Sequence, residues 1–429
     1  MTGGFNVRKW CLLLVFIAVL LIGCSDNMQT KETENTKEKT TIHIMHYWGE
    51  NNADESAKCF REIIDNEFEE AFPNVELVED VYDTETYKRR IKIMMASNEM
   101  PDIMLGHGGG FSEAFVNSGK VLALDPYLDE DYKDKMTMQE NFIYDGKQYG
   151  ICYTYWMGVL YCNQSLFSQA GAEIPQTYEE LLLASKKLRE HNIQPVACGM
   201  LDQWHGQQWI NNFTLQLGGA ELYNRLAKEE ETLDNETLAT AADLVQNLVR
   251  KEVFCDDMSN LISSEAEEMF LNGETAMIYI GNWYTTTAEE RLGDNLRVVK
   301  MPVVPGAQYL DDYHGGGTHG LMVSADTEYP ELATEIVEWL AYRLSCYQPQ
   351  SSTFQLAEGD QKRSIDAVEE EILQMYADKQ ESGCAWDTIM TLESSDSWLD
   401  LCGKLYDLRV NGTGFTKLLK SRIEWRNIN

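Results

Sequence analysis

The chain has 429 residues, 44% of them apolar, which is more than one ordinary core absorbs and enough for two well-packed domains. Its 35 Lys and Arg stand against 70 Asp and Glu, so the net charge is 35 − 70 = −35, which repels a phosphate backbone and leaves nucleic acid outside the expected partners. Excess carboxylate is usually a solvated face, and it does not by itself name a ligand.

At the N-terminus, Arg8 and Lys9 precede an apolar run over residues 12–22. A spanning helix needs roughly 20 such residues, whereas a signal-peptide core needs fewer, so the run predicts export. It ends in Leu21-Ile22-Gly23-Cys24, which resembles the lipobox of bacterial lipoproteins, where the peptide is cut before the cysteine and the thiol receives a diacylglycerol. That resemblance implies a signal peptide over 1–23 and a mature chain lipidated at Cys24, held on the extracellular face of the cell membrane. Each buried CH₂ of such an anchor contributes ~0.8 kcal/mol. The stretch SDNMQTKETENTKEKT, residues 25–40, carries almost no apolar side chain and reads as a flexible linker. As a coil it spans roughly 20–24 Å. The cysteines beyond it show no CxxC pair and no zinc-like spacing, so no metal is expected; export permits disulfides without requiring them.

TIHIMHYWGE, residues 41–50, alternates as a first strand and opens into a loop at Tyr47, Trp48 and Gly49. Phe60, Ile63, Ile64, Phe68 and Ala71 recur at helical spacing, and Pro73 stops that helix. NVELVEDVY is a second strand, residues 87–96 a second helix, and MPDIMLG a third, short strand. Strands alternating with helices imply βαβ units and a largely parallel sheet. Ligands of such sheets bind beyond the carboxyl ends of the strands. Asp145-Gly146 signals a hairpin turn, and the apolar run through Leu160 and Tyr161 a further strand. A short helix closes at Gly171, and Thr177 with Glu180 forms a capping box opening an amphipathic helix to about Arg189.

Six segments in this order, MPDIML, DGKQYGICY, GVLYCNQSLFSQAGAEIPQTYEELLLASKKL, MFLNGETAMIYIGNW, MPVVPG and GGGTHGLMVSADTEYPELATEIVEWL, resemble the successive signatures of the family 1 extracellular solute-binding proteins of ABC importers, which include maltose- and oligosaccharide-binding proteins. The resemblance runs over residues 41–340 and is loose beyond them, where SSDSWLDLCGKLYDLRVNG and FTKLLKSRIEW have helix periodicity but carry no signature. It implies an α/β, two-lobe periplasmic-binding-protein-like fold with a ligand cleft between the lobes: lobe 1 from residues 41–155 and 315–342, lobe 2 from 156–314 and 343–429. It further implies a monomer without cofactor that captures a carbohydrate and delivers it to ABC transporter permease subunits; the ten tryptophans lean toward an oligosaccharide over a monosaccharide.

A pyranose has apolar C–H faces and hydroxyl edges, so its site needs aromatic plates together with fixed hydrogen-bond partners. Trp283 stands first, because it follows the strand GETAMIYIGNWY directly, with Gly281 clearing space and Asn282 offering an amide. In the family this position commonly supplies a stacking ring. Trp156, at the expected first crossing between lobes, and Trp204, in the polar loop DQWHGQQW, come next. Trp48 after the first strand, His107 after the third, Trp209, and Gly316 with Thr318 at the expected return crossing complete the set. Trp209 lies at helical spacing with Phe213 and Gln216 and equally suits a core. Three rival readings remain: a lipoprotein glycosidase, for which the chain offers no acid and nucleophile motif; a metal-binding lipoprotein using His107, His314 and His319, whose spacings match no common site; and a binding partner of a sensor.

Overall fold

The long strand β6, Ile151–Asn163, organises the molecule, because its two halves belong to two different packing environments. The computed structural model describes residues 39–49 and 52–428, with side chains of the last helix described as far as Ile423. The export run, Cys24 and most of the linker lie outside the described residues.

The first half of the sequence builds the units its periodicity predicts. Strand β1, Thr40–His46, pairs in parallel with β2, Val75–Val81, and with β3, Ile103–His107. Between them run the helical segment 55–71 and the helix Thr84–Ser97, each entered through an aspartate cap: Asp54 accepts from Ser56 N, and Asp83 from Thr86 N. The Asp145-Gly146 turn, with φ of 49° and 73°, joins the short strands β4, Ile143–Tyr144, and β5, Lys147–Gln148. The Thr177 to Glu180 capping box is formed at the head of the helix Tyr178–Glu190.

The second group of strands comprises β7, Gln194–Ala197, β8, Thr275–Gly281, and β9, Leu296–Val299, followed by β10, Tyr313–Val323, and β11, Ser382–Gly383. The main sheet runs β2-β1-β3-β10-β6-β8-β7, with β11 on β10 and β9 on β6. Early in β6, Ile151, Cys152 and Thr154 pair antiparallel with Leu321, Gly320 and His319 of β10, beside β3. Late in β6, residues 158–162 pair antiparallel with β8. Trp156 and Met157, opposite Gly316 and Gly315, mark the passage, and the ladder slips between Gly316 and His319. Gly316 has φ of 141°, which favours glycine, and a Cβ there would overlap Cys384 Sγ.

The cores follow this division. Ile42, Ile44, Phe60, Ile103, Leu105, Tyr153, Leu321 and Val323 form one cluster. Beyond the passage the sheet is buried on both faces: Leu160, Met277 and Tyr279 pack on one side, Met157, Val159, Ile278 and Ile280 on the other. The tail forms the helices Leu392–Tyr406 and Gly412–Ile428, and Trp386, Trp398, Leu401, Phe415 and Leu419 join the side of Leu160, Met277 and Tyr279. The helix Pro330–Tyr347 instead continues past residue 342 on the first cluster, which also takes in Leu344, Cys346 and Phe354. The α/β architecture is that of two lobes joined by crossing strands. Cys59, Cys152, Cys162, Cys198, Cys255, Cys346, Cys384 and Cys402 are buried free thiols.

Candidate functional site

A cavity of about 120 Å³ lies where the carboxyl ends of β1, β3 and β8 meet the two crossing strands. The first lobe contributes Tyr47, Asn52 and Asp54 after β1, Thr84 and Lys88 from the helix Thr84–Ser97, and His107 at the end of β3. Trp156, Thr318 and His319 come from the crossing strands. The second lobe adds Trp204 and Gln208 from one face of the helix Trp204–Ala227, Glu267 from the helix Ser263–Leu271, and Trp283; the tail adds Ala385, Asp387 and Thr388.

The aromatic wall is a braced set. Trp156 meets Trp283 edge-on, with centroids 5.3 Å apart at 67°, and meets His314 at 5.0 Å and 82°. Its indole N–H donates to Thr318 Oγ1 at 3.2 Å. Trp283 also leans on His319 at 5.9 Å. Its ring covers Gly281, so a Cβ there would overlap the six-membered ring; glycine is needed for the indole to lie flat against the strand end. Trp204 stacks at 5.3 Å and 24° on His205, whose ring is held by Gly199 N–H donating to Nδ1 and by the Tyr279 carbonyl at Nε2. Tyr47 stacks on His107 at 5.8 Å and 4°.

The polar side is rich in acceptors. Burial pushes Asp54 up to about 6, against the hydrogen bonds from Ser56. Burial, aided by the charges of Asp202, Asp54 and Glu268, pushes Glu267 up to about 8. Burial, then His319 and Lys88, drives His107 well below its ordinary value, and burial with Lys88 brings His319 down to about 4, so both rings are neutral. Lys88 keeps its charge: burial opposes it, but Glu85 at 3.2 Å and Asp387 at 3.6 Å outweigh burial. Among the described residues both ring nitrogens of His107 and Oε1 of Gln208 are buried without a hydrogen-bond partner. Among the described residues no group of three or more His, Cys, Asp or Glu is arranged to hold a metal ion.

Five of the residues singled out in the sequence, Trp283, Trp156, Trp204, His107 and Thr318, line this cavity together. Four do not. Trp48 turns into the first core against Phe60 at 4.7 Å and Tyr153, because neighbours at a strand end face opposite ways, and Tyr47 takes the cavity side. Trp209 is fully buried between Phe254, Phe213 and Tyr279. It lies five residues past Trp204 and so is turned away, whereas Gln208, four residues on, shares the Trp204 face. Asn282 braces the lobe: its Oδ1 accepts from Met157 N at 2.8 Å, tying the end of β8 to the crossing strand. Gly316 meets Cys384 and not the cavity. The residues the sequence reading missed are mostly the polar ones. Asp54 carried an N-cap signal, and Gln208 was recoverable from the i, i+4 relation to Trp204. Lys88, Glu267 and Asp387 carried none among so many surface charges.

The chain matches the family described as bacterial extracellular solute-binding protein over residues 53–341. It is 22% identical over 291 residues to an uncharacterized ABC transporter extracellular-binding protein of Pyrococcus horikoshii, a match covering 64% of this chain and 65%, just under two thirds, of that protein. Among solved structures, a protein studied for xylan utilization by the thermophilic bacterium Caldanaerobius polysaccharolyticus superposes with a TM-score of 0.83 at 29% identity, covering 89% of this chain and all (100%) of that one. A chitin oligosaccharide binding protein shares the fold, with a TM-score of 0.77 at 20% identity over 90% of this chain and 99% of that one. With the family match spanning more than half of its length, the chain belongs to the bacterial extracellular solute-binding proteins.

Proposed function

We propose that the protein captures a carbohydrate between its two lobes and hands it, unchanged, to an ABC importer. The observation that carries this reading is the cavity itself. Three indoles and a tyrosine ring provide plates for C–H faces, while unpartnered imidazole and amide atoms and two carboxylates await hydroxyls. The similarity to proteins named for xylan utilization and chitin oligosaccharide binding supports a carbohydrate of more than one unit. The lobes would comprise residues 41–155 with 315–342 and 156–314 with 343–429, apart from the stretch to Phe354, which packs with the first. Contacts formed only when both lobes touch the ligand favour a closed form that a permease can read. Export and tethering at Cys24 complete the reading, and the importer partner follows from the family.

A thermal-shift screen of the purified full chain against mono- and oligosaccharides tests it, because a ligand bound only to the folded state raises the melting temperature as RT ln(1 + [L]/Kd). Long incubation with the best ligand should return it intact. A cleaved product moves the protein to a carbohydrate-active enzyme, and no shift with any sugar removes the reading. For the anchor, Cys24→Ala should leave an unlipidated precursor; continued incorporation of labelled fatty acid into that variant refutes it.

A further inference from the structure

We propose that Asp54 and Glu267 select the ligand by charge: the sugar unit held between them presents hydroxyl or amine donors, and a unit bearing a carboxylate is refused. This rests on the carbohydrate reading above and narrows it to neutral or amine-bearing sugars.

The two carboxylates reach the cavity from opposite sides of the seam. Asp54 is the cap of the helix Glu55–Ile63 in the first lobe, where its Oδ1 already accepts from Ser56 N at 2.8 Å. Glu267 stands on the helix Ser263–Leu271 in the second lobe. Glu267 feels Asp54, whose charge is among the influences that make it harder to ionise. Among the described residues no Lys or Arg forms an ion pair with either one. The cation that lines the cavity, Lys88, is held between Glu85 and Asp387. The imidazoles of His107 and His319 are kept neutral by burial. A ligand carboxylate placed here would therefore add a negative charge beside Asp54 in a poorly hydrated pocket, where Glu267 already holds its proton more tightly than usual, and among the described residues no lining Lys or Arg is free to meet it.

Hydrogen-bond bookkeeping points the same way. His107 is 6% exposed and Gln208 4%, and both ring nitrogens of the first and Oε1 of the second are unpartnered among the described residues. A neutral imidazole offers one donor and one acceptor, an amide oxygen and an ionised Asp54 only accept, and Glu267 adds one donor, besides its acceptor oxygen, while it holds its proton. Acceptors outnumber donors, so the missing partner must donate. Every sugar hydroxyl donates once and a protonated amine up to three times, whereas an ionised carboxylate donates nothing. Like-charge juxtaposition in a desolvated contact costs enough to discriminate by more than about 100-fold in affinity.

The test uses the purified full chain and an equimolar pool of short oligosaccharides of three kinds: neutral, free-amine, and composed wholly of uronic acid units. Bound sugars are separated from free by gel filtration and identified by mass. Wild type should retain neutral or amine-bearing members and leave the uronates behind by more than about 100-fold. The variant carrying Asp54→Asn and Glu267→Gln should narrow that ratio at least tenfold while melting no lower than wild type, since each change replaces a poorly hydrated carboxyl group with a neutral amide of the same shape. Retention of uronates by wild type overturns the proposal, as does an unchanged ratio in the double variant. If calcium alone stabilises wild type and not the variant, the pair is a cation site and the proposal is also lost. Retention of neutral sugars together with uronates leaves the carbohydrate reading standing, whereas retention of no sugar at all removes both.

Discussion

Replacing Trp283 with alanine should weaken sugar binding while costing the fold only about half of what the loss of a core tryptophan costs. The indole lies at the end of β8 on the cavity wall and is half-buried, leaning on Trp156 at 5.3 Å and His319 at 5.9 Å. Covering the rest of the ring with a sugar face contributes about 1.5–3 kcal/mol by the usual burial scale. Losing it should cost roughly 10–150-fold in affinity. The part of the ring already packed on protein sets the stability cost. A fully buried aromatic truncated to alanine costs about 3–5 kcal/mol, and half of that, roughly 2 kcal/mol, is expected here. Trp209, fully buried among Phe213, Phe254 and Tyr279, is the internal comparison and should show the full stability loss with unchanged affinity in the folded fraction. Titration calorimetry with the sugar found by thermal shift, and urea unfolding of the same ligand-free preparations, measure both quantities. If Trp283→Ala unfolds as easily as Trp209→Ala and its folded fraction binds normally, the ring is structural and the placement of the ligand against it is wrong.

Three further outcomes follow from the same geometry. Gly281→Ala should lower affinity with little loss of stability, because φ of −71° tolerates a side chain and only the overlying Trp283 ring must move; unchanged affinity would show that the ring's position does not matter to the ligand. Burial raises Glu267 from an ordinary 4.5 to about 8, so the native state holds its proton more tightly than the unfolded chain, and the associated stability is present below 4.5 and lost as pH rises through 8. Ligand-free wild type should therefore weaken between these limits, and Glu267→Gln should flatten that slope in unfolding curves taken across pH; an unaltered slope contradicts the assignment. Arg363 joins Glu55 of the first lobe to Glu369 of the tail helix Ala367–Met375, with both carboxylates nearly inaccessible, so Arg363→Met should cost about 3–5 kcal/mol. Adding Glu55→Gln and Glu369→Gln should restore much of it, and no restoration means that the loss comes from packing.

Much of the fold was legible because its signals are local. The capping box at Thr177, the Asp145-Gly146 turn and the period-two strands each depend on neighbours in sequence, and each forms where expected. The site was legible only on its aromatic side. A tryptophan at a strand end is conspicuous, and Trp283 and Trp156 do line the cavity, but sequence does not say which of two adjacent rings faces it. The pair Tyr47 and Trp48 resolves the opposite way from the expectation. Trp209 has the spacing of a core residue and sits in one. The charged members were hidden for a different reason. Glu267 and Asp387 are ordinary acidic residues in a chain with 70 of them, and what sets them apart is burial beside a cavity assembled from distant segments.

The placement of the acidic residues bears on how binding and closure are coupled. Asp54 belongs to one lobe and Glu267 to the other, so bringing the lobes together brings two carboxylates together in a region that also buries unpartnered atoms of His107 and Gln208. Each of those terms opposes the closed arrangement: two carboxylates brought together repel unless one holds a proton, as the raised value of Glu267 reflects, and a buried polar atom without a partner loses its hydration. Salt bridges at the rim, such as Lys58 to Glu290 at 2.6 Å, oppose this only weakly, because both side chains are largely exposed. A ligand that donates hydrogen bonds to both carboxylates removes the repulsion and satisfies the stranded atoms in one step, and it does so only when both lobes are in contact with it. The free energy released is then specific to the closed form, which is the condition for a ligand to shift the equilibrium between forms and not merely to bind. The same groups that refuse an anion would thus tie closure to the arrival of a donor-bearing sugar.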